Sequence, residues 1–482
     1  MPLSDAFVRA SPRLTPRRAA LGSHAIYLAV ALLFPLTLAC AFLFTGVFAW
    51  MVGIVYILYE LALMAFVVSQ TLRRHSLPAS REPYGRPTLG VIVAAHDEAA
   101  ALPRTLDALL QQDDLPDLIL IADDGSTDGT ARLLIERYGF ESAAAGSPGK
   151  SIDHSCLRWL RLPHAGKAAA LNAALLRADT EIILTVDADT ELEPGAIAAL
   201  RTAFANEPEL VAGGGVIVPV CRERGISSLL GRFQTYEYVR NIVGRFAWMH
   251  AGTLLLVSGA FAGFRRDALI AIGGFDTNAL VEDYEVIHRL HRYAGEHGLV
   301  WRVRVVGAAL ARTEAPHGLI SFLRQRRRWY AGFLQTQGWN RDMTGDGRFG
   351  RLGTGLLPVK AADTLQPIYW LTSAGLLVIF AARGRMDVVM PALALVAVKI
   401  AADIAFNRWA ISAYRRLTDD RDPLGFPVPD IAPLLEPFSF QLLRRSGAAW
   451  GWLAFLSGEL RWGKRSRIFV AEAPRAGRVP EL

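Results

Sequence analysis

Cysteine is scarce: Cys40, Cys156 and Cys221 are the 3 in 482 residues. They form no spaced framework, which excludes a disulfide scaffold and a structural zinc module and fits a reduced compartment or a membrane setting. Charge is thin as well. Asp, Glu, Lys and Arg make up 20% of the chain against 52% hydrophobic residues, and mean hydropathy is +0.26. That balance rules out a disordered chain and sits badly with an ordinary soluble enzyme. Internal repeats, low-complexity tracts and DNA-reading motifs are all absent. The charge that remains leans basic, with 52 Lys and Arg against 45 Asp and Glu, net +7. A basic excess suits nucleic acid, anionic lipid or a phosphorylated substrate, and its placement decides among them. The length allows two or three domains with a buried core.

Formal charge nearly vanishes between Ala19 and Leu72, where Glu60 stands alone. A membrane span needs roughly 20 apolar residues, so this stretch holds two, placed at His24–Phe44 and Val47–Ser69 with a turn near Thr45-Gly46. It is far too long for the apolar core of a signal peptide. Arg13, Arg17 and Arg18 precede it and Arg73 and Arg74 follow, so the positive-inside rule puts both flanks in the cytoplasm. Thr364–Ala382 and Asp387–Phe406 read as a second pair, joined by Arg383-Gly384-Arg385. Lys399 and Asp403 lie four residues apart inside it and are expected to pair. Segment Ile431–Ser457, broken by Glu436, Arg444 and Arg445, reads as an interfacial or re-entrant helix or a fifth span. Four spans are favoured, because they keep Arg461, Lys464, Arg465 and Arg467 on the cytoplasmic side. The chain thus divides into a tail (1–23), two spans (24–70), a cytoplasmic domain (80–345), two spans (364–406), a membrane-associated helix (431–457) and a basic tail (458–482). Pro78, Pro83 and Pro87 mark the entry to the soluble domain.

That domain alternates strands and helices. Thr88–Ala95, Asp117–Ala122, Cys156–Leu162 and Glu181–Val186 are apolar runs of strand length, with helical stretches such as Ala99–Gln112 and Lys167–Ala178 between them. The pattern predicts an α/β fold with a doubly wound, mostly parallel sheet covered on both faces. Ligands of such sheets bind beyond the carboxyl ends of the strands. There the acids fall: His96-Asp97-Glu98, Asp123-Asp124 and Asp187-Ala188-Asp189. One acidic strand end is commonly a turn or cap, but three on one rim repel one another unless a cation or ligand offsets them. Oxygen ligands in an open site suit Mg²⁺ or Mn²⁺ shared with substrate phosphates.

IADDGSTDGT, HAGKAAALNAAL and TVDADTELEP resemble the motifs of a family 2 glycosyltransferase with the GT-A fold. Ser258-Gly259-Ala260-Phe261, Gly273-Gly274-Phe275, Val281-Glu282-Asp283 and Gln325-Arg326-Arg327-Arg328-Trp329 continue the match in order over about residues 88 to 335. The last is similar to the Q-x-x-R-W signature of the processive branch, which makes cellulose, hyaluronan, chitin and poly-N-acetylglucosamine. Two positions depart from the family pattern: His96-Asp97 stands where many relatives carry Asn before the Glu, and Val281 replaces Thr.

The resemblance implies that Asp97, Glu98 and Asp124 hold the base and ribose of a nucleotide sugar, that Lys167 and Arg328 meet its diphosphate, and that Asp187 and Asp189 form the D-x-D motif. Asp189 would be the ligand of Mg²⁺ or Mn²⁺ and Asp283 the catalytic base. Trp329, with Gln325, Ser258, Gly259 and Glu282, would hold the acceptor. A membrane-embedded, inverting, processive synthase of a β-linked polysaccharide follows, with export through its own spans; single transfer to a membrane lipid is the alternative. The implied partners are a nucleotide sugar (a UDP-sugar first), a saccharide or lipid acceptor, membrane lipids and accessory export or periplasmic subunits, with no nucleic acid. The implied location is the inner (plasma) membrane. From residue chemistry alone, Asp283 could equally cap a helix, the Arg324–Trp329 run could bind lipid headgroups, and Tyr236, Tyr238 and Trp248 could be core or acceptor-path residues. About twenty residues follow Trp462, too few for a cyclic-dinucleotide-binding domain of the kind some cellulose synthases carry.

Overall fold

The computed structural model describes residues 2–72, 85–141, 145–220, 226–316, 318–420 and 435–459, with backbone only for 226–228 and Pro437. Arg73, Arg74, Pro78, Pro83, Cys221 and the basic residues after 460 lie outside them. Nine strands among the described residues form one sheet: β1 Leu89–Ala95, β2 Leu118–Asp123, β3 Pro148–Lys150, β4 Leu157–Arg161, β5 Ile182–Asp187, β6 Thr190–Leu192, β7 Leu210–Val220, β8 Phe261–Arg265 and β9 Arg302–Glu314, in the order β3-β4-β2-β1-β5-β8-β7-β9-β6.

The helices that follow in chain order are α1 Leu3–Ala10, α2 Leu21–Leu43, α3 Met51–Leu72, α4 Leu102–Leu110, α5 Thr130–Tyr138, α6 Lys167–Leu175, α7 Ala196–Asn206 and α8 Ile226–His250. Beyond them come α9 Arg266–Ala271, α10 Glu282–His297, α11 Leu319–Trp339, α12 Leu357–Asp363, α13 Gln366–Ala382, α14 Met386–Leu417 and α15 Phe440–Leu456.

Strand β1 shows why the apolar runs are continuous. Its side chains alternate between faces: Leu89, Val91 and Val93 join the core formed by Leu102, Leu106 and Leu109 of α4, while Ile92 joins Ala170 and Leu171 of α6. Strands β4, β2, β1 and β5 run parallel, as the pattern predicts. The other half is mixed. β8 enters antiparallel between β5 and β7, whereas β7 and β9 pair parallel. Gly215 of β7 marks a close approach, since a Cβ there would lie 2.0 Å from the Phe261 ring. The register pairs Ala95 with Asp123 and Ala94 with Asp187, which gathers the acidic strand ends on one rim.

Among the described residues, four helical runs are long and apolar enough to cross a membrane: Leu21–Leu43, Gly46–Leu72, Leu352–Ala382 and Met386–Leu417. The fourth continues beyond Phe406, and the third begins upstream of Thr364. α15, 17 residues long, lies along α11, where Gly447 and Gly451 come against the Arg326 and Tyr330 side chains. Four ion pairs stand among these helices and the elements packed on them, as burial of charge in an apolar medium favours. Lys399 Nζ is 2.5 Å from Asp403, Arg445 2.9 Å from Glu60, Lys360 2.9 Å from Asp363, and Arg240 2.5 Å from Glu436.

The amino-terminal segment is more than a tail. α1 packs on the catalytic layer: Arg13 donates to both Asp276 oxygens (3.0 and 3.1 Å), and the Arg289 guanidinium lies 4.8 Å from the centre of the Phe7 ring. Gly273, at φ 83°, leaves no room for a side chain beneath the Phe7 backbone.

Candidate active site

β5 ends in Asp187, and the turn that follows carries Asp189. α6 begins at Lys167 directly after the Gly166 turn, so its side chain starts on the same rim. Lys167 Nζ lies 2.6 Å from Asp187 Oδ1 and 2.9 Å from Glu282 Oε1. One ammonium thus bridges the D-x-D motif to the first turn of α10. Burial works to lower the Lys167 pKa, but the two carboxylates outweigh it and raise it. For Glu282 burial pushes upward, yet Lys167 holds the group below its ordinary value.

Asp283 follows as the second residue of α10; Val281, not Asp283, occupies the capping position. Its Oδ2 accepts the Gly259 backbone N–H at 2.7 Å. Burial, then the neighbouring Glu282 charge, raise the Asp283 pKa above the ordinary carboxylate range, against the Gly259 amide, Lys167 and Arg328. A carboxylate held this way is a stronger base than one in water, the property general base catalysis needs.

Asp189 and Glu98 are raised too, each first by burial; Asp187 adds to Asp189, and Asp189 then Asp187 add to Glu98. Mutually repelling oxygens of this kind fit a hard divalent cation, so Asp189 suits the expected metal. Asp189 Oδ1 also meets the Thr190 and Thr313 hydroxyls at 3.3 and 3.4 Å. A second group of donor atoms, from His96, Asp124 and His164, lies within 4.8 Å of one another, with the two imidazoles stacked 4.2 Å apart. The Asp124 carboxylate there is already engaged: Ala165 N–H donates to Oδ1 at 2.8 Å and Gly166 N–H to Oδ2 at 2.9 Å. Asp124 therefore braces the loop that presents Lys167. Asp97 plays a similar part, at φ 57° and with its Oδ1 accepting from Thr127 N–H at 2.6 Å; that hydrogen bond is the main cause of its lowered pKa.

A cavity of about 480 Å³ opens beside Asp283 and runs down to Glu60, Lys399 and Asp403. Ser258 and Trp329 line it, and so do Tyr238 and Trp248, whereas Tyr236 is buried in the core. Gly259 and Glu282 sit behind its wall, holding Asp283 and Lys167 respectively. Gln325 is not among the lining residues, and its buried amide oxygen has no hydrogen-bond partner among the described residues. Arg328 donates to the Leu280 carbonyl at 3.2 Å and acts electrostatically on both α10 carboxylates. In the same run Arg326 is buried against Glu237 at 2.6 Å, with its guanidinium 4.5 Å from the centre of the Trp329 indole. Arg245, which also lines the cavity, drew no notice in the sequence. The signal available was its helical spacing with Tyr238 and Trp248, which puts all three on one face of α8.

A lysine-bridged pair of acidic motifs on the rim of an α/β sheet, with a partly desolvated carboxylate opening on a cavity, is an arrangement suited to group transfer. The family comparison makes it specific. Residues 90–273 match glycosyl transferase family 2, and residues 182–402 match glycosyl transferase family group 2. Residues 90–273 of the chain are thus similar to family 2 glycosyltransferases.

It is 28% identical over 285 residues to the poly-β-1,6-N-acetyl-D-glucosamine synthase of Staphylococcus epidermidis, covering 59% of this chain and 61% of that protein. The enzyme of the same name from Staphylococcus aureus strain COL is 28% identical over 244 residues, covering 50% and 53%. The chain thus spans about three-fifths or less of the length of the curated relatives it matches. Among solved structures, the mannosyltransferase PcManGT from Pyrobaculum calidifontis, in complex with GDP-Man and Mn²⁺, superposes with a TM-score of 0.53 at 22% identity, over 81% of this chain and 99% of that one. That likeness concerns the fold.

Proposed function

We propose that the protein is a membrane-embedded, inverting glycosyltransferase that extends a β-linked polysaccharide from a nucleotide-diphosphate sugar and passes the product into its own membrane helices. The carrying observation is that Asp283 and Trp329 line one cavity that continues to membrane-level side chains. In the reaction, the acceptor hydroxyl gives its proton to Asp283 as its oxygen bonds to the anomeric carbon and the bond to the diphosphate breaks. Displacement at that carbon inverts it. Gly259 orients the base, and Lys167 and Arg328 offset charge on the leaving diphosphate. Trp329 offers an indole face to the acceptor sugar.

Asp189, with Asp187 beside it, would hold Mg²⁺ or Mn²⁺, which when bound neutralises the diphosphate oxygens. UDP-N-acetylglucosamine is the first donor to test, because the curated relatives are poly-N-acetylglucosamine synthases. An inner-membrane location with the catalytic domain on the cytoplasmic side belongs to the same reading, supported by the four apolar helices and the basic residues that flank them. Incubating the purified protein with a panel of UDP- and GDP-sugars and either metal tests this reading. Incorporation from one donor supports it, and incorporation from none defeats it.

A further inference from the structure

Six carboxylates and seven Lys or Arg side chains line the cavity beside Asp283. Five of the carboxylates, Glu60, Glu237, Asp363, Asp403 and Glu436, belong to the ion pairs described above. The partners of those five account for five of the cations, and Arg444 adds a sixth at 3.5 Å from Glu237. Two charges are left over: Asp283 and Arg245. Arg245 makes no hydrogen bond or ion pair with any described residue, and the charges acting on it are those of Asp283 first and Tyr238 second. It is half-buried on the cavity face of α8, between Tyr238 and Trp248. A guanidinium in such a place loses part of its hydration without a protein partner in return, a cost that a bound ligand oxygen offsets. Among the described residues, the only other unpaired charge lining the cavity is the proposed base, so the ligand Arg245 meets is the one whose hydroxyl Asp283 deprotonates.

We propose that Arg245 is an acceptor-binding residue, donating to a hydroxyl or acyl carbonyl oxygen of the acceptor saccharide held against Asp283. With it the cavity carries one more cation than carboxylates, which selects neutral N-acylated or plain hydroxylated sugars over sugars bearing a protonated amine. This inference rests on the glycosyl-transfer reading above.

The test uses the full-length protein, UDP-N-acetylglucosamine with Mn²⁺, and two acceptor probes: the β-1,6-linked trisaccharide of N-acetylglucosamine and its fully de-N-acetylated counterpart. Losing a charge-assisted hydrogen bond predicts that R245Q raises KM for the N-acetylated acceptor about ten- to hundredfold. KM for the donor should stay within about twofold, and the variant's preference against the de-N-acetylated probe should shrink. R245K keeps the charge but loses the paired donors of the guanidinium, so it should fall between wild type and R245Q and hold the preference. R245K also supplies the comparison if R245Q lacks the wild-type melting transition. Unchanged acceptor KM in both variants, or a donor KM that rises as much as the acceptor KM, overturns the assignment while leaving glycosyl transfer intact. Failure of the wild-type protein to transfer to either probe from any sugar nucleotide defeats the functional reading and this inference with it.

Discussion

Replacing Gly259 by alanine should perturb the proposed base without removing it. The Gly259 N–H donates to Asp283 Oδ2 at 2.7 Å, and a Cβ at position 259 would lie 3.0 Å from Asp283 Cβ and 3.2 Å from Oδ2. Both contacts are tighter than ordinary packing and demand a shift of a few tenths of an ångström. The object that must move is the proposed base. A misplacement of about 1 Å in a reacting group costs on the order of 100-fold in rate, and weakening a hydrogen bond to a charged group costs about 1.5–3 kcal/mol. We therefore expect G259A to lower kcat about 10- to 100-fold, with donor KM little changed because Lys167 and Asp187 are untouched. The assay is the initial rate of nucleoside diphosphate release under saturating donor. G338A is the control: position 338 is an exposed glycine near the end of α11 with nothing within 4 Å of an added Cβ, so it should keep wild-type kcat and gain up to about 1 kcal/mol of stability. A folded G259A protein with wild-type kcat would refute the placement of Asp283 as base.

Asp283→Asn should lower kcat about 10²- to 10⁴-fold, the usual contribution of a positioned base; transfer at the wild-type rate would remove it from the mechanism. Because burial and Glu282 raise Asp283 above the ordinary aspartate value, and the proposed base works only when ionised, activity should be full at higher pH and fall as pH drops through that raised value. A kcat/KM profile whose acidic limb sits at or below the ordinary aspartate value of about 3.9 would contradict this. Asp189→Asn should raise the Mn²⁺ concentration for half-maximal activity at least about tenfold, while His164→Ala should leave that concentration unchanged; the reverse would move the metal to the histidine pair. Arg289, buried and ion-paired to Glu285 at 2.7 Å, should cost about 3–5 kcal/mol when replaced by alanine, because the carboxylate is left buried without its partner; urea unfolding measures it.

Much of the scaffold was legible because its physics is local. The continuous apolar runs of β1, β2, β4 and β5 can only be strands covered on both faces, and the acids after them fall where such sheets bind ligands. Span placement followed from length and charge alone. The antiparallel insertion of β8 was not readable, since its neighbours are far away in sequence. Nor could the sequence reveal that Asp97 Oδ1 and both Asp124 oxygens accept backbone amides, that Gly259 donates to the proposed base, or that Gln325 does not line the cavity. These depend on which loop meets which. Helix α1 read as a tail because eight residues cannot announce that Arg13 and Phe7 will find Asp276 and Arg289. Arg245 went unremarked because its significance lies in the pairing of the charges around it.

The central claim is processive extension of a saccharide at Asp283 beside a cavity that enters the membrane. The direct measurement is the length distribution of product made by the purified protein from labelled UDP-N-acetylglucosamine at a large excess of acceptor, resolved by size. The account predicts long chains on a small fraction of acceptors, dependent on Mg²⁺ or Mn²⁺ and lost in Asp283→Asn. One sugar added to each of many acceptors would contradict it.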